Sequence, residues 1–303
     1  MLGLQRGSQL KAYIWMLVLL VGAEMGFEEC CRYVEVRGVR LYVYDSSARR
    51  EYEGRTTLVF LHGLPGQLTN WKYQIPFFER EYRVVAYDQR GFGRSSKPKR
   101  VVFEDFTRDL EELLAELEVR DEDAVVVGHS FGGAVAQAYA RDHGVKGLVL
   151  VGSLTRFRYD LLDYIMWYTP ALIWKRLFFT MNPLTKRLYP KVFLSPASPI
   201  KVLEEFYEDN REYFRELPPS TYTYSRYFKS YDASSWLHQV AAPTLIVVGE
   251  DDVVTPLEES RRISELIPNS KLVVVEKAGH LILYEKPEEL NATIMGFLKE
   301  IGA

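Results

Sequence analysis

Short, continuous apolar runs recur along most of this chain, and longer amphipathic segments separate them. Runs of this kind are typical of strands that are covered on both faces of a parallel sheet. The stripe of Phe103, Phe106 and Leu110 in one of the intervening segments has helical spacing. This alternation predicts an α/β fold, a mostly parallel sheet with helices on both faces. The predicted strands are TTLVFLHG (56–63), YRVVAYD (82–88), AVVVG (124–128), VKGLVLVG (145–152), APTLIVVGEDD (242–252) and KLVVVE (271–276).

The two ends of this pattern add a hairpin and further helices. Residues 33–45 alternate with period two around Gly38, which predicts an opening hairpin. Apolar residues from Trp71 to Phe78 recur at helical spacing, and a terminal helix is expected from Pro287.

The alternation stops in residues 153–236. This segment holds 20 of the chain's 41 aromatic residues in 84 of its 303 positions. It also carries seven prolines, so it is expected to be a helical, aromatic-rich cap rather than more sheet. The predicted organisation is therefore an α/β core built from 25–152 and 237–303, with the cap inserted between the two parts.

The first 24 residues stand apart from this organisation. Arg6 and Lys11 precede the apolar run AYIWMLVLLVGA (12–23), which is shorter than the roughly 20 residues that a membrane span needs. A signal peptide cleaved after Ala23, a start-site extension before Met25 and an anchoring helix all fit this pattern. The expected location is cytoplasmic, with secretion or anchoring through residues 1–24 as the alternative, and membrane contact is expected only if 12–23 acts as an anchor.

Composition and charge exclude several classes of function. The net charge of −3 and pI near 6.1 do not attract nucleic acid, so no nucleic-acid partner is expected. The two cysteines, Cys30 and Cys31, are adjacent and cannot form a disulfide that links distant parts of the fold. No motif has the spacing of metal ligands, and neither a metal nor a cofactor is expected. Oligomeric state stays open.

Residues 125–137, VVVGHSFGGAVAQ, combine a predicted strand, a glycine-bounded serine and a run of small residues. They place Ser130 at the carboxyl end of a buried strand, the edge of an α/β sheet where ligands bind. Gly128 and Gly132 suit a sharp strand-to-helix turn in which side chains would collide. Ser130 is therefore the candidate nucleophile, although a serine in this position can also be a simple helix N-cap.

A serine nucleophile needs a base and an acid that orients the base. His280 follows the last predicted strand, which brings it to the same sheet edge as Ser130. The segment VVGEDDVVTP (247–256) supplies Asp251 and Asp252 directly after a strand. Spacing alone does not decide which of the two carboxylates faces the histidine.

Acyl transfer also needs hydrogen-bond donors for the oxyanion. FLHGLPG (60–66) ends a strand in a glycine-bearing loop with free backbone N–H groups. If this strand neighbours the one before Ser130, the N–H groups of Leu64 and Phe131 are the candidate donors. A plain Pro-Gly turn would have a similar composition.

These segments together resemble the α/β-hydrolase family over about residues 32–152 and 240–301. The order Ser130, Asp252, His280 matches the family's order of nucleophile, acid and histidine. GHSFG resembles its nucleophile turn, HGLPG its oxyanion loop and GEDDVVTP its acid loop, a match that assigns the acid to Asp252 with Asp251 as fallback. The resemblance thus implies a catalytic triad, an oxyanion hole and a variable cap.

Within that family, YDQRGFGRSSKP (87–98) is close to the version found in prolyl aminopeptidases. Those enzymes usually carry HGGPG and GxSWG, whereas this chain has Leu64 and Phe131 at the corresponding positions. GHSFGG is equally similar to esterases and carbon–carbon bond hydrolases. Epoxide and haloalkane hydrolases use an aspartate nucleophile, so Ser130 argues against both.

Three functions remain. The first is a serine hydrolase that cleaves small carboxylic esters through an acyl-serine intermediate. The second is an aminopeptidase acting on a short peptide, whose substrate ammonium would be held by Glu204, Glu205 or Glu208, although a charged helix face is often only solvated. The third is a non-catalytic binding protein of the same fold, which the retained triad makes the weakest of the three.

Overall fold

The computed structural model describes residues 27–52, 54, 56–157, 159, 161–178, 180–228 and 231–303. The expectations for residues 1–24 therefore lie outside the described residues. The core is an eight-stranded sheet with the strand order β1-β2-β4-β3-β5-β6-β7-β8. Its strands are β1 (Cys31–Val36), β2 (Val39–Asp45), β3 (Thr57–Leu61), β4 (Arg83–Tyr87), β5 (Ala124–His129), β6 (Gly147–Val151), β7 (Thr244–Gly249) and β8 (Ser270–Val275).

The sheet confirms the predicted α/β architecture. β1 and β2 form the expected hairpin around Gly38, whose φ of 73° is the left-handed conformation that glycine adopts at low cost. β2 pairs antiparallel with both β1 and β4, and the remaining neighbouring strands are parallel. The carboxyl ends of β3, β5 and β7 therefore meet at one edge of the sheet.

Ten α-helices that lie wholly within the described residues accompany the sheet. They are α1 (Ile75–Phe78), α2 (Phe103–Glu116), α3 (Phe131–Asp142), α4 (Leu161–Tyr168), α5 (Ala171–Phe178), α6 (Pro183–Phe193), α7 (Ile200–Glu216), α8 (Leu257–Leu266), α9 (Ile282–Glu285) and α10 (Pro287–Glu300).

Two apolar cores explain why the strands are apolar at every position. In β3, Val59 and Leu61 pack into the core that includes α2, α3 and α8, whereas Leu58 and Phe60 pack into the core that includes α10. Because successive side chains of a strand point to opposite faces, a strand covered on both sides cannot alternate with polar residues.

The helix expected from Trp71 to Phe78 is not continuous. The chain instead forms a 3-10 turn at Leu68–Trp71 and the four-residue α1, in whose first turn Pro76 lies. Proline lacks the N–H that a helix interior requires, so it is accommodated where a helix begins.

Residues between β6 and β7 form the cap. It contains α4 to α7 and a 3-10 segment at Pro219–Tyr227. Buried aromatic side chains such as Tyr207, Tyr213 and Phe214 hold it together and join it to the core. In the described part of the chain, no helix is long and apolar enough to cross a bilayer.

Candidate active site

Ser130 lies in a sharp turn between β5 and α3. Its φ of 53° and ψ of −117° fall outside the regions that ordinary residues favour, as expected for a strained strand-to-helix turn. The turn is tight enough that a Cβ at Gly128 would overlap the carbonyl of Gly132, and a Cβ at Gly132 would overlap the carbonyl of Leu61. Both glycines are therefore required by the close approach of backbone segments.

The structure brings Ser130, His280 and Asp252 together from three loops at the same sheet edge. Ser130 Oγ lies 3.1 Å from Nε2 of His280. Nδ1 of His280 lies 2.8 Å from Oδ2 of Asp252. All three side chains are buried, with exposed fractions of 8%, 5% and 4%. An imidazole with these two contacts can take a proton from the serine while the carboxylate fixes its tautomer.

The sequence left open which of two adjacent carboxylates faces the histidine, and the geometry separates them. Oδ1 of Asp252 accepts the backbone N–H groups of Val254 and Thr255 at 2.9 and 2.8 Å. Asp251 has a different partner, since its Oδ2 accepts a 2.6 Å hydrogen bond from the hydroxyl of Ser195 in the cap. The fallback residue therefore contacts the cap and not the imidazole.

The surroundings of Asp252 favour its ionised form. Burial by itself raises the pKa of this carboxyl, but the charge and hydrogen bond of His280 and the hydrogen bonds from Thr255 more than offset it. The resulting pKa lies below the ordinary value of an aspartate. An anion thus stands beside the ring nitrogen that would share a positive charge during proton transfer.

The loop after β3 passes close to Ser130. A Cβ at Gly63 would lie 3.0 Å from the Cβ of Ser130, so the loop approaches the serine closely. Among the described residues, the backbone N–H groups of Leu64 and Phe131 have no acceptor. These two N–H groups therefore stay the candidate donors to an oxyanion.

Hydrogen bonds of His62 and Gln89 fix the conformation of this loop. Sequence analysis did not identify this role for either residue. The backbone N–H of Gln89 donates to Nε2 of His62 at 3.0 Å, so Nδ1 carries the proton and donates to the carbonyl of Gly63 at 2.8 Å. The side-chain amide of Gln89 donates to the carbonyl of His62 at 2.6 Å. Because the Gly63 carbonyl and the Leu64 N–H belong to one planar peptide unit, fixing the first orients the second.

Residues at the end of α6 tie the cap to the loops that carry Asp252 and His280. The carbonyl of Phe193 accepts the N–H of Leu281 at 3.0 Å. Glu285 accepts the N–H groups of Ser195 at 2.8 Å and of Gly279 at 2.9 Å. Glu285 thus bridges the cap and the residue that precedes His280.

A cavity of about 110 Å³ opens beside Ser130 and His280, between the core and the cap. Among the described residues that line it, none is an aspartate or a glutamate. Its polar lining includes Asn70 and His129. Most of the other lining residues are apolar or aromatic: Leu64, Pro65, Tyr189, Phe193, Leu203, Phe206, Tyr207, Phe214, Leu281, Leu283 and Tyr284.

The cap acids Glu204, Glu205 and Glu208 do not line this cavity, which corrects the expectation that they hold a substrate there. Helix α7 turns Leu203 and Phe206 toward the cavity, so the intervening acids lie on its other faces. Each acid pairs with a cation instead: Glu204 with Lys186 at 3.4 Å, Glu205 with Lys72 at 2.6 Å and Glu208 with Arg211 at 3.3 Å.

His129 and His62 are buried beside the site and are neutral at ordinary pH. Burial, and after it the charge of the neighbouring His280, lower the pKa of His129 to about 3. Burial also lowers the pKa of His62 to about 4. No group of three or more potential metal ligands occurs in the described residues.

Known proteins of similar sequence include peptidases and other hydrolases. A proline iminopeptidase of Thermoplasma volcanium is 28% identical over 88% of this chain and 96% of its own length. A putative carbamate hydrolase of Caulobacter is 29% identical over 80% of this chain and 91% of its own length.

Solved structures with the same architecture include an esterase. A thermophilic esterase from Thermogutta terrifontis matches with a TM-score of 0.73 and 26% identity, over 90% of this chain and 99% of the other. A family model described as alpha/beta hydrolase fold matches residues 56–287, most of the chain. The chain therefore belongs to the α/β-hydrolase fold family.

Proposed function

We propose that this protein is a serine hydrolase that cleaves small carboxylic esters through an acyl-serine intermediate. The observation that carries the proposal is the pair of contacts on either side of the His280 ring. Ser130 Oγ lies 3.1 Å from Nε2, and Asp252 Oδ2 lies 2.8 Å from Nδ1. These are the distances at which a general base works.

In the first half of the reaction, Ser130 Oγ attacks the ester carbonyl carbon while His280 Nε2 takes the hydroxyl proton. The carbonyl oxygen becomes an oxyanion and accepts the N–H groups of Leu64 and Phe131. As the intermediate collapses, its bond to the alcohol oxygen breaks, and His280 returns the proton to the leaving alcohol. Water then repeats the same steps on the acyl-serine and releases the carboxylic acid.

The cavity supports an ester with a small apolar group. It measures about 110 Å³, and an apolar cavity of about 150 Å³ holds benzene. This size and the apolar lining favour a small apolar acyl group. The absence of acidic residues from its described lining also favours a neutral substrate over a cation.

Removal of an N-terminal residue, proline above all, is the second candidate. It is supported by the relatives named proline iminopeptidases, which are 26 to 28% identical over 88% of this chain. Such a substrate brings an ammonium that needs a carboxylate. Two acids on α7, Glu205 and Asp209, already hold the ammonium of Lys72 at 2.6 and 2.7 Å. A substrate ammonium would have to displace that lysine, which counts against this candidate.

A substrate comparison separates the two. We expect p-nitrophenyl butyrate to be hydrolysed with a much higher kcat/KM than proline p-nitroanilide. The peptidase assignment would replace ours if the anilide were preferred and the Glu205→Gln variant lost that preference.

The third possibility, a non-catalytic binding protein, has its own test. A fluorophosphonate probe should label the intact protein and leave the Ser130→Ala variant unlabelled. Labelling requires an activated serine but no particular substrate, so this result is independent of the substrate panel.

A further inference from the structure

The outward surface of the cap is unusually apolar. Of the 15 large apolar residues that are exposed in the described part of the chain, 10 lie between residues 161 and 192. Monomeric soluble proteins rarely expose large apolar patches, and those that they do expose often mark a contact surface. We call these ten residues the cap face: Leu161, Tyr164, Ile165, Tyr168, Leu172, Ile173, Leu177, Leu184, Leu188 and Val192.

The cap face follows helical periodicity. On α6, the exposed residues Leu184, Leu188 and Val192 recur every fourth position, which places them in one stripe. On α4, the four exposed residues are spaced by one to three positions and span a single helical face. Helix α5 contacts both α4 and α6, so the apolar stripes belong to neighbouring helices.

The same helix α6 separates the cap face from the candidate active site. Its residues Tyr189 and Phe193 line the cavity beside Ser130, while the stripe of Leu184 and Leu188 is exposed. Whatever covers the cap face therefore lies one helix away from the substrate cavity.

Basic residues accompany this apolar surface. Residues 161–193 contain five bases and one acid, Asp163, a formal charge of +4 in a chain whose net charge is −3. Four of the bases are exposed: Arg176, Lys186, Arg187 and Lys191, of which Lys186 pairs with Glu204 of α7 at 3.4 Å. Amphipathic helices with apolar and basic residues lie in the plane of a membrane interface, where each base near an anionic lipid surface contributes about 1 kcal/mol.

We propose that the cap face docks on an anionic lipid surface. A second copy of the chain fits less well, because a two-fold contact would set the bases of one cap against the same bases of the other. Lasting attachment to a membrane generally takes two signals, and an anchoring helix at 12–23, one of the three interpretations of that segment, would be the second. The proposal stands independently of the substrate of the enzyme.

Vesicle sedimentation of the full chain tests the proposal. We expect the protein to sediment with vesicles of phosphatidylcholine and phosphatidylglycerol, less with phosphatidylcholine alone, and less at high salt because salt screens the charge term. Two variants remove the two contributions of the cap face. The partition coefficient should fall about tenfold or more for Leu161→Gln/Tyr168→Gln/Leu172→Gln, and similarly for Arg187→Glu/Lys191→Glu.

Matched substitutions elsewhere on the surface serve as controls. Tyr33→Gln/Val274→Thr and Arg261→Glu/Lys299→Glu change exposed apolar and basic residues far along the chain from the cap, and both should partition like the unsubstituted protein. Thermal unfolding of every variant checks that it is folded, without reference to activity.

Three outcomes would overturn the proposal. The first is the absence of binding to either vesicle. The second is equal binding by the cap-face variants, which would assign all of the attachment to residues outside the cap. The third is a dimer in solution that the same variants convert to monomer, which would identify a second copy as the occupant.

Discussion

The hydroxyl of Thr255 donates a 2.8 Å hydrogen bond to Oδ2 of Asp252, the same oxygen that faces the imidazole of His280. Thr255 therefore fixes the orientation of the carboxylate as well as stabilising its charge. Asp251, the residue before Asp252, instead accepts a hydrogen bond from the hydroxyl of Ser195 in the cap. Two adjacent carboxylates thus have different partners, and substituting them should have different effects.

Replacing Asp252 should damage the chemistry, and replacing Asp251 should not. In the Asp252→Asn variant the amide can stabilise the wrong tautomer of His280, and we expect kcat for p-nitrophenyl butyrate to fall by about 10³ to 10⁴. Asp251→Asn loses only part of one contact with the cap, so its kcat should stay within about tenfold. Steady-state kinetics of both variants checks this, and comparable losses would contradict the assignment of the acid.

Gln89 should act as a positioning residue for the oxyanion loop. Gln89→Leu removes the donor to the His62 carbonyl at similar side-chain volume, at a cost of about 1 to 3 kcal/mol. Since the Leu64 N–H acts on charge that develops in the transition state, kcat should fall up to about 100-fold with little change in KM.

The control for Gln89 is a buried amide far from Ser130 in the chain. Asn291→Leu removes a 3.0 Å hydrogen bond from α10 to the carbonyl of Tyr73. It should lower the melting temperature while leaving kcat nearly unchanged. If both variants lower kcat equally, Gln89 has only a structural role.

Acid should destabilise the fold through two buried histidines. Burial holds the pKa of His62 at about 4 and that of His129 at about 3, below their value of 6.5 in an unfolded chain. Between these values the unfolded state binds protons that the folded state does not, so stability falls as the pH drops from about 6.5 toward 4. Each imidazole contributes up to about 1.4 kcal/mol per pH unit.

Urea unfolding between neutral pH and about pH 5 measures this slope. In the His129→Gln variant the slope should be smaller by the contribution of one imidazole, up to about 1.4 kcal/mol per pH unit. A slope that is identical in His129→Gln and in the unsubstituted protein would show that His129 titrates normally in the folded state.

The serine turn should not tolerate a single added methyl group. Gly132→Ala places a Cβ on the carbonyl of Leu61, and overlap with rigid backbone should cost about 3 kcal/mol or more. At Gly144 a Cβ meets nothing within 4 Å, so Gly144→Ala should be nearly neutral. Calorimetry on the two variants makes the comparison, and equal melting temperatures would contradict the close approach.

The parts of the fold that the sequence predicts are those decided by burial pattern. The continuous apolar runs correspond to strands such as β3 and β5, which are covered on both faces. The stripe that begins at Phe103 corresponds to α2, which covers one face of the sheet. The spacing of apolar residues and the length of an unbroken apolar run depend only on residues that are close together in the chain. Both can therefore be recognised in a single sequence.

The parts that the sequence misses depend on contacts between distant segments. The acids of α7 are close to the cap aromatics in sequence, but only the fold reveals that Lys72 pairs with Glu205. Gln89 is one polar residue in a loop, and nothing local indicates that its amide meets the carbonyl of His62. Partners separated by many residues leave no periodic signal.

The bonds from Phe193 and Ser195 to the loops that carry Asp252 and His280 have a consequence for redesign. Replacing the cap by that of a relative would also replace the residues whose hydrogen bonds hold the loops of Asp252 and His280 in position. A chimaera that keeps Phe193, Ser195 and Glu285 from this chain should retain turnover while acquiring new selectivity, whereas a graft made at the sequence boundaries alone would lose both.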